Sequence, residues 1–481
     1  MNILKRCCLL ALVAVCGLPC FEVNAQVGKP AKPNIIYILA DDMGYGDLSS
    51  YGQHHFSTPT LDSLAANGIR FTQHYAGAPV CAPSRAALMT GRDIGHGWIR
   101  GNFEQGPRGL GAGLPLRPED ITIAEVLKKA SYHTAIIGKW GLGMDGTTGH
   151  PNKKGFDYFY GYLNQAHAHN HYPEYLYRNE VEIQIPENAN RRQEKFSSDL
   201  FTTEALEFLD QQQRDEPFFL YLAYITPHAE MIVPDDKLFG SFKGKFKEQP
   251  YAGKDYSTET SVGGYGSSAN PIAAYATMIV RLDRDIASIV NKLKEKGLDQ
   301  NTIIMFSSDN GPHKEGGANP DALNSAGGFR GAKRDVYEGG IRVPFIVSGA
   351  GVKSRVISDH ISGFADILPT LAAYAGVNLQ QNNIKTEGVS LVPVLSGNQK
   401  RQKDHDYLYW EFHEGKVPAQ AIRYGKWKAV RFGASGPIEL YDLKSDKAEQ
   451  RNVATKHPDL IARLTTMFKT ARTPNPYWKI D

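Results

Sequence analysis

The chain holds five cysteines, and four of them (Cys7, Cys8, Cys16 and Cys20) fall within its first twenty residues. The fifth, Cys81, stands in Cys81-Ala82-Pro83-Ser84-Arg85. A lone thiol in an exported chain has no disulfide partner, so reactivity is one reason for keeping it. A small buried core residue is the other. Pro83 suits the first turn of a helix and Gly91 its end, which predicts a short helix from Pro83 to Thr90. Cys81 then stands at the helix N-terminus, where free N–H groups and the dipole favour an anion, with Arg85 projecting from the first turn.

Further reactive groups follow short apolar runs. Asp41-Asp42 follows Ile35 to Leu39, and Gly138-Lys139 follows Thr134 to Ile137. Thr226-Pro227-His228 follows Phe218 to Tyr224, and Asp309-Asn310-Gly311 follows Ile303 to Phe306. Ligands bind past the carboxyl ends of strands in open α/β sheets. Any one such ending could be an ordinary turn; four together point to a shared site. Asp41, Asp42, Asp309 and Asn310 offer only oxygen ligands, which suits Ca²⁺ or Mg²⁺ and argues against structural zinc.

The elements that must position these groups alternate between apolar runs and amphipathic helices. That pattern predicts an α/β fold with a large, mixed, mostly parallel sheet sandwiched by helices. Helices are expected from Thr60 to Gly68, from Ile121 to Ala130 and from Ala273 to Lys296, and a further buried strand from Val343 to Val347. Past residue 400 the pattern changes. Tyr407 to Trp410, Ala421 to Arg423, Trp427 to Val430 and Ile438 to Tyr441 read as a small antiparallel sheet, followed by one helix from Pro458 to Thr470. The expected division is 1–25, 26–398 and 399–481.

Residues 1–25 read as a signal peptide: Lys5 and Arg6, then about a dozen apolar residues, too few to span a bilayer. Val23-Asn24-Ala25 is a plausible cleavage site. The expected location is periplasmic or secreted, with lipoprotein anchoring at Cys20 the rival. No transmembrane segment is evident. A formal net charge of +3 over 481 residues argues against a nucleic-acid partner. The Gly/Ser-rich stretch from Ser261 to Ser268 reads as a loop.

Cys81-Ala82-Pro83-Ser84-Arg85 followed by Leu88-Met89-Thr90-Gly91 resembles the signature of the formylglycine-dependent sulfatases of the alkaline-phosphatase superfamily. Asp41-Asp42, Gly138-Lys139-Trp140, Pro227-His228, Ser308-Asp309-Asn310-Gly311, and Lys333 ahead of Tyr337-Glu338-Gly339-Gly340, match that family's other motifs in order. The resemblance implies hydrolysis of sulfate esters after a maturation enzyme converts Cys81 to formylglycine, whose hydrate both attacks sulfur and rebuilds its own carbonyl. It implies Ca²⁺, with Mg²⁺ as alternative, at Asp41, Asp42, Cys81, Asp309 and Asn310. Arg85 and Lys139 would hold the nucleophile, Lys139 and Lys333 the sulfate, and His228 would serve the leaving alcohol. Many members carry a histidine two residues after the lysine; here Gly141 stands there. His167, His169 and His171 are the nearest replacements, as base or substrate contact, though they could also be a polar surface loop.

A sulfated carbohydrate is the expected substrate. His96, Trp98 and Arg100, in a loop ending at Asn102, suit a sugar's face and hydroxyls, unless Trp98 is simply buried in a structured loop. The rival functions are a phosphodiesterase or phosphonate ester hydrolase of the same superfamily, and a catalytically silent glycan-binding relative.

Overall fold

The computed structural model describes residues 32–480 except 103–104, 107–108, 111–112 and 254–263. The expected signal peptide and the start of the Gly/Ser-rich loop lie outside the described residues. Four parallel strands form the centre of an eleven-stranded sheet. Thr302–Ser308, Asn34–Ala40, Phe218–Ala223 and His133–Lys139 lie side by side in that order, and Tyr158–Tyr162 continues the parallel set. Arg342–Gly349 and Gly68–Tyr75 extend one side antiparallel, and Tyr175–Arg178 and Val181–Gln184 extend the other.

Successive residues of a strand point to opposite faces, so a central strand must be apolar throughout. Ile36, Ile38 and Ala40 enter one core, beneath the helices Pro59–Ala66, Ser197–Asp210 and Pro271–Glu295. Ile35, Tyr37 and Leu39 enter the other, beneath Cys81–Thr90, Ile123–Lys128 and Ile367–Ala375. The expected α/β sandwich is present. The strand Gly68–Tyr75 has no clear signature in the sequence, because its buried and half-buried residues do not alternate cleanly. The helix expected over Ile121 to Ala130 is trimmed to Ile123–Lys128, because Thr122 caps its start in a reciprocal pair with Glu125.

Four antiparallel strands, Leu408–Phe412, Ala419–Tyr424, Trp427–Phe432 and Glu439–Asp442, form the small sheet, and Pro458–Thr470 is its helix. Trp410 and Val430 share a core with Tyr75, Val80 and Ile341 of the large part. A buried ion cluster crosses the same seam. Glu338 accepts from Lys428 Nζ at 3.0 Å, Arg342 Nη1 at 3.1 Å and the Tyr75 hydroxyl at 2.8 Å. Burial opposes its charge, but Lys428 and Arg342 outweigh that and hold its pKa at about 2. Glu338→Ala would leave these cations short of a counter-charge, and urea unfolding should show a loss of about 3–5 kcal/mol. Because the folded pKa is depressed, this stabilisation is present above the unfolded value of about 4.3 and is lost as pH falls toward about 2. Among the described residues, no helix is long and apolar enough to cross a membrane.

Candidate active site

Register brings the acidic turns together. Ala40 pairs with Ser308, so the next residues, Asp41 and Asp309, emerge side by side. Gly138 pairs with Ala223, which puts Lys139 beside the segment leading to His228. A β-carbon at Gly138 would meet the Ala223 carbonyl oxygen at 1.9 Å, so only glycine lets these strands approach. Asp42 adopts φ 63°, a left-handed turn that Asp tolerates better than most residues.

The helix that bears Cys81 begins two residues earlier than expected, with Cys81 its first helical residue. The Ser84 hydroxyl donates to the Asp309 carbonyl at 2.5 Å, and Arg85 Nε donates to Asp309 Oδ2 at 2.9 Å. Arg85 also donates to the Lys139 carbonyl at 2.8 Å and lies 3.3 Å from Asp41 Oδ2. Ser84 and Arg85 therefore clamp the helix onto the acidic turns. Cys81 Sγ is thereby held 3.2 Å from Asp41 Oδ1 and 3.9 Å from Asp42 Oδ1.

Lys139 Nζ donates to Asp41 Oδ2 at 2.7 Å, and Lys333 Nζ to Asp42 Oδ2 at 2.8 Å. Burial would raise the Asp41 carboxyl, yet Lys139 and Arg85 hold it well below the usual carboxylate range. Asp309 goes the other way: burial, and then Asp41, push it up to about 7. Asn310 donates to Asp42 Oδ1 at 2.6 Å, while its own Oδ1 is buried without a hydrogen-bond partner. An orphaned amide oxygen beside three carboxylates fits a hard cation. Ligand atoms of Asp41, Asp42, Cys81 and His228 lie within 4.8 Å of one another.

Cys81, Lys139, His228 and Lys333 all line one cavity of about 290 Å³. His228 Nδ1 donates to the Ala229 carbonyl, which leaves Nε2 to accept from Lys333 Nζ at 3.1 Å. Burial and Lys333 hold this imidazole well below its ordinary pKa.

Of the three clustered histidines only His169 reaches the cavity, with its ring stacked 4.9 Å from that of His228. His171 Nε2 donates to the His228 carbonyl at 2.9 Å, and so steadies that turn. His167 is buried and stacks 4.3 Å from Tyr175. Gly141 also lines the cavity, with Gln165 in the space its side chain would take: a β-carbon there would lie 2.1 Å from Gln165 Nε2.

The loop of His96, Trp98 and Arg100 is a correction. None of the three lines the cavity, because each is committed elsewhere. His96 Nδ1 lies 2.8 Å from Asp93 Oδ1, and Arg117 stacks 4.5 Å over the Trp98 ring. Arg100 is buried, 3.3 Å from Glu411. From that loop Ile99, Gly101 and Asn102 line the cavity instead. Gln165, Tyr265, Arg334 and Glu414 also line it, and Glu315 bonds Lys333 at 3.0 Å behind it. Arg334 follows Lys333 directly and Glu315 closely follows Asn310, so proximity in sequence could have found both; nothing local marks Glu414.

The sulfatase family model matches residues 33–377, and the model described as N-sulphoglucosamine sulphohydrolase, C-terminal, matches residues 328–473. Arylsulfatase A of Homo sapiens is 31% identical, covering 95% of this chain and 89% of its own. N-acetylgalactosamine-6-sulfatase of Rattus norvegicus is 32% identical, covering 93% and 81%. The crystal structure of Ps i-CgsB in complex with k-i-k-neocarrahexaose superposes with a TM-score of 0.74 at 28% identity, covering 94% of this chain and 95% of that one. Membership of this family implies a metal ion and a formylglycine, and the acidic turns and Cys81 fit both. With the nucleophile signature, the acidic turns and the cationic cavity all held in one place, the chain belongs to the sulfatase family and is a sulfuric ester hydrolase.

Proposed function

We propose that this enzyme removes sulfate from sulfated glycans or their fragments, with Ca²⁺ at Asp41, Asp42, Asp309, Asn310 and position 81. The observation that carries the reading is Cys81 lining a cavity with Lys139, Lys333 and His228 while its sulfur touches Asp41. The cation supplies a Lewis acid that lowers the pKa of a bound hydroxyl and neutralises sulfate oxygens. Formylglycine, made at Cys81 by a maturation enzyme, would add water to form a geminal diol, one hydroxyl of which would attack sulfur while the other lets the aldehyde re-form as sulfate leaves. Arg85 orients position 81 from below, and Lys139 and Lys333 bind the sulfate oxygens. A rat relative named N-acetylgalactosamine-6-sulfatase and a structure in complex with k-i-k-neocarrahexaose support a sugar substrate. An exported enzyme, periplasmic or secreted, suits such a substrate.

Lys333 Nζ donates to His228 Nε2 at 3.1 Å, and this pair would supply the proton to the leaving alcohol. His169, stacked on His228, faces the substrate. His228→Ala should lower kcat by about 10²–10³-fold on a sugar sulfate and by less on an aryl sulfate, whose leaving group needs no proton. An equal loss on both would remove His228 from this role. The substrate reading is tested with a panel of defined sulfated monosaccharides and oligosaccharides. Turnover of aryl sulfates alone would exclude it, and faster turnover of the matching phosphate esters would favour the phosphodiesterase alternative.

A further inference from the structure

Asp42 holds a left-handed backbone, with φ 63°, and a residue other than glycine keeps that shape only where its surroundings over-determine it. Four successive backbone N–H groups fix the turn. Asp41 donates to the Thr226 carbonyl at 3.2 Å, Asp42 to Asp309 Oδ1 at 3.0 Å and Met43 to Ser308 Oγ at 2.8 Å. Gly44 donates to Asp47 Oδ2 at 2.7 Å. Thr226, Ser308 and Asp309 stand in the strand endings that carry His228 and the acidic pair. Asp47 does not, and it holds the turn from behind.

Asp47 closes the short 3₁₀ turn Tyr45–Asp47 and is fully buried. The same Oδ2 accepts the Tyr275 hydroxyl at 2.6 Å, and that hydroxyl lies 3.3 Å from the Asp42 carbonyl oxygen. Tyr275 belongs to the long helix Pro271–Glu295 and shares a core with Ile36 and Ile38 of the central strand. One carboxylate oxygen therefore joins the far side of the acidic turn to a helix packed on the sheet. On the other flank, a β-carbon at Gly44 would meet the Ser325 carbonyl oxygen at 2.1 Å, so the turn is confined there too.

We propose that Asp47 is a positioning residue that sets how tightly the acidic turn holds its cation, resting on the reading that Asp41, Asp42, Asp309 and Asn310 hold one. Affinity for a hard cation depends on the rigidity of the ligand set as well as on its charge. With Gly44 anchored, the Asp42 carboxylate is already in place before the ion arrives. Without that anchor the turn must be ordered during binding, and the ordering weakens it. Asp47 acts through the backbone that carries the ligands.

The test is equilibrium dialysis of the mature, full-length enzyme against Ca²⁺ buffers, with bound Ca²⁺ read by elemental analysis, alongside steady-state kinetics. Asp47→Ala should weaken Ca²⁺ binding by about 10–100-fold. Its kcat should recover toward wild type as Ca²⁺ saturates, with KM for the sulfate ester little changed. Asp47→Asn keeps an oxygen that can accept from both Gly44 and Tyr275, so its Ca²⁺ affinity should stay within about threefold of wild type. Tyr275→Phe removes one of the two bonds and should weaken binding by about three- to tenfold; it decides the matter if Asp47→Ala does not fold. Unchanged Ca²⁺ affinity in Asp47→Ala, or in Tyr275→Phe where the alanine variant is unfolded, would overturn the assignment, even with a lowered thermal midpoint. An asparagine variant as weak as the alanine one would overturn it too, by assigning the effect to charge. A wild type that binds no Ca²⁺ would overturn the cation reading itself, and Asp47's role with it, a result distinct from unchanged affinity in a variant.

Discussion

Cys81→Ala should cut sulfate release by about 10⁴–10⁶-fold, as loss of a covalent nucleophile does. Stability should barely change. The side chain is small, and its Sγ makes only weak contacts, at 3.2 Å to Asp41 and 3.9 Å to Asp42. A thermal midpoint within a few degrees of wild type, together with lost turnover of a sulfated sugar, is the expected pair of results. A silent glycan-binding protein would give a different pair, with no turnover before or after substitution. Intact mass adds a direct reading of maturation: formylglycine differs from cysteine by loss of a sulfur and two hydrogens and gain of an oxygen. Undiminished desulfation by the alanine variant would remove Cys81 from the reaction.

Asp42→Asn should lose the proposed cation and, with it, about 10³–10⁴ in kcat/KM, equivalent to roughly 4–5.5 kcal/mol of transition-state stabilisation. Asp42 gathers three functions at one carboxylate. Its Oδ1 accepts from Asn310 and faces Cys81, while its Oδ2 accepts from Lys333. An amide keeps the shape but halves the acceptors and removes the charge that draws both the cation and Lys333. Elemental analysis of the purified variant would follow the metal independently of turnover. Adding Ca²⁺ should restore activity to chelated wild type but not to the variant. A variant with full metal content and full rate would contradict the proposed ligand set.

The acidic turns, the lone cysteine and the two lysines stand out in the amino-acid sequence itself. Most of them follow an apolar run or start a helix. Runs such as Ile35 to Leu39 and Phe218 to Tyr224 are legible as buried strands, and their endings are where a parallel sheet gathers ligands. The loop of His96, Trp98 and Arg100 misled for a matching reason. Residue types suited to sugars are also suited to structural ion pairs and stacking, and composition does not say which way a loop turns. The same limit applied to His167, His169 and His171, where alternate burial sends only the middle ring to the cavity.

Residue type and order alone were enough to establish the kind of reaction and the layered α/β frame. These depend on short motifs and on local periodicity, which are written contiguously in the chain. Folding alone decided that Gln165 fills the space beside Gly141, that Glu315 backs Lys333, and that Glu414 enters from the small sheet. Glu414 lies 333 positions after Cys81 in the chain. Contacts at such separations are set by strand register and by how one sheet packs on another, and no local pattern of residues encodes them.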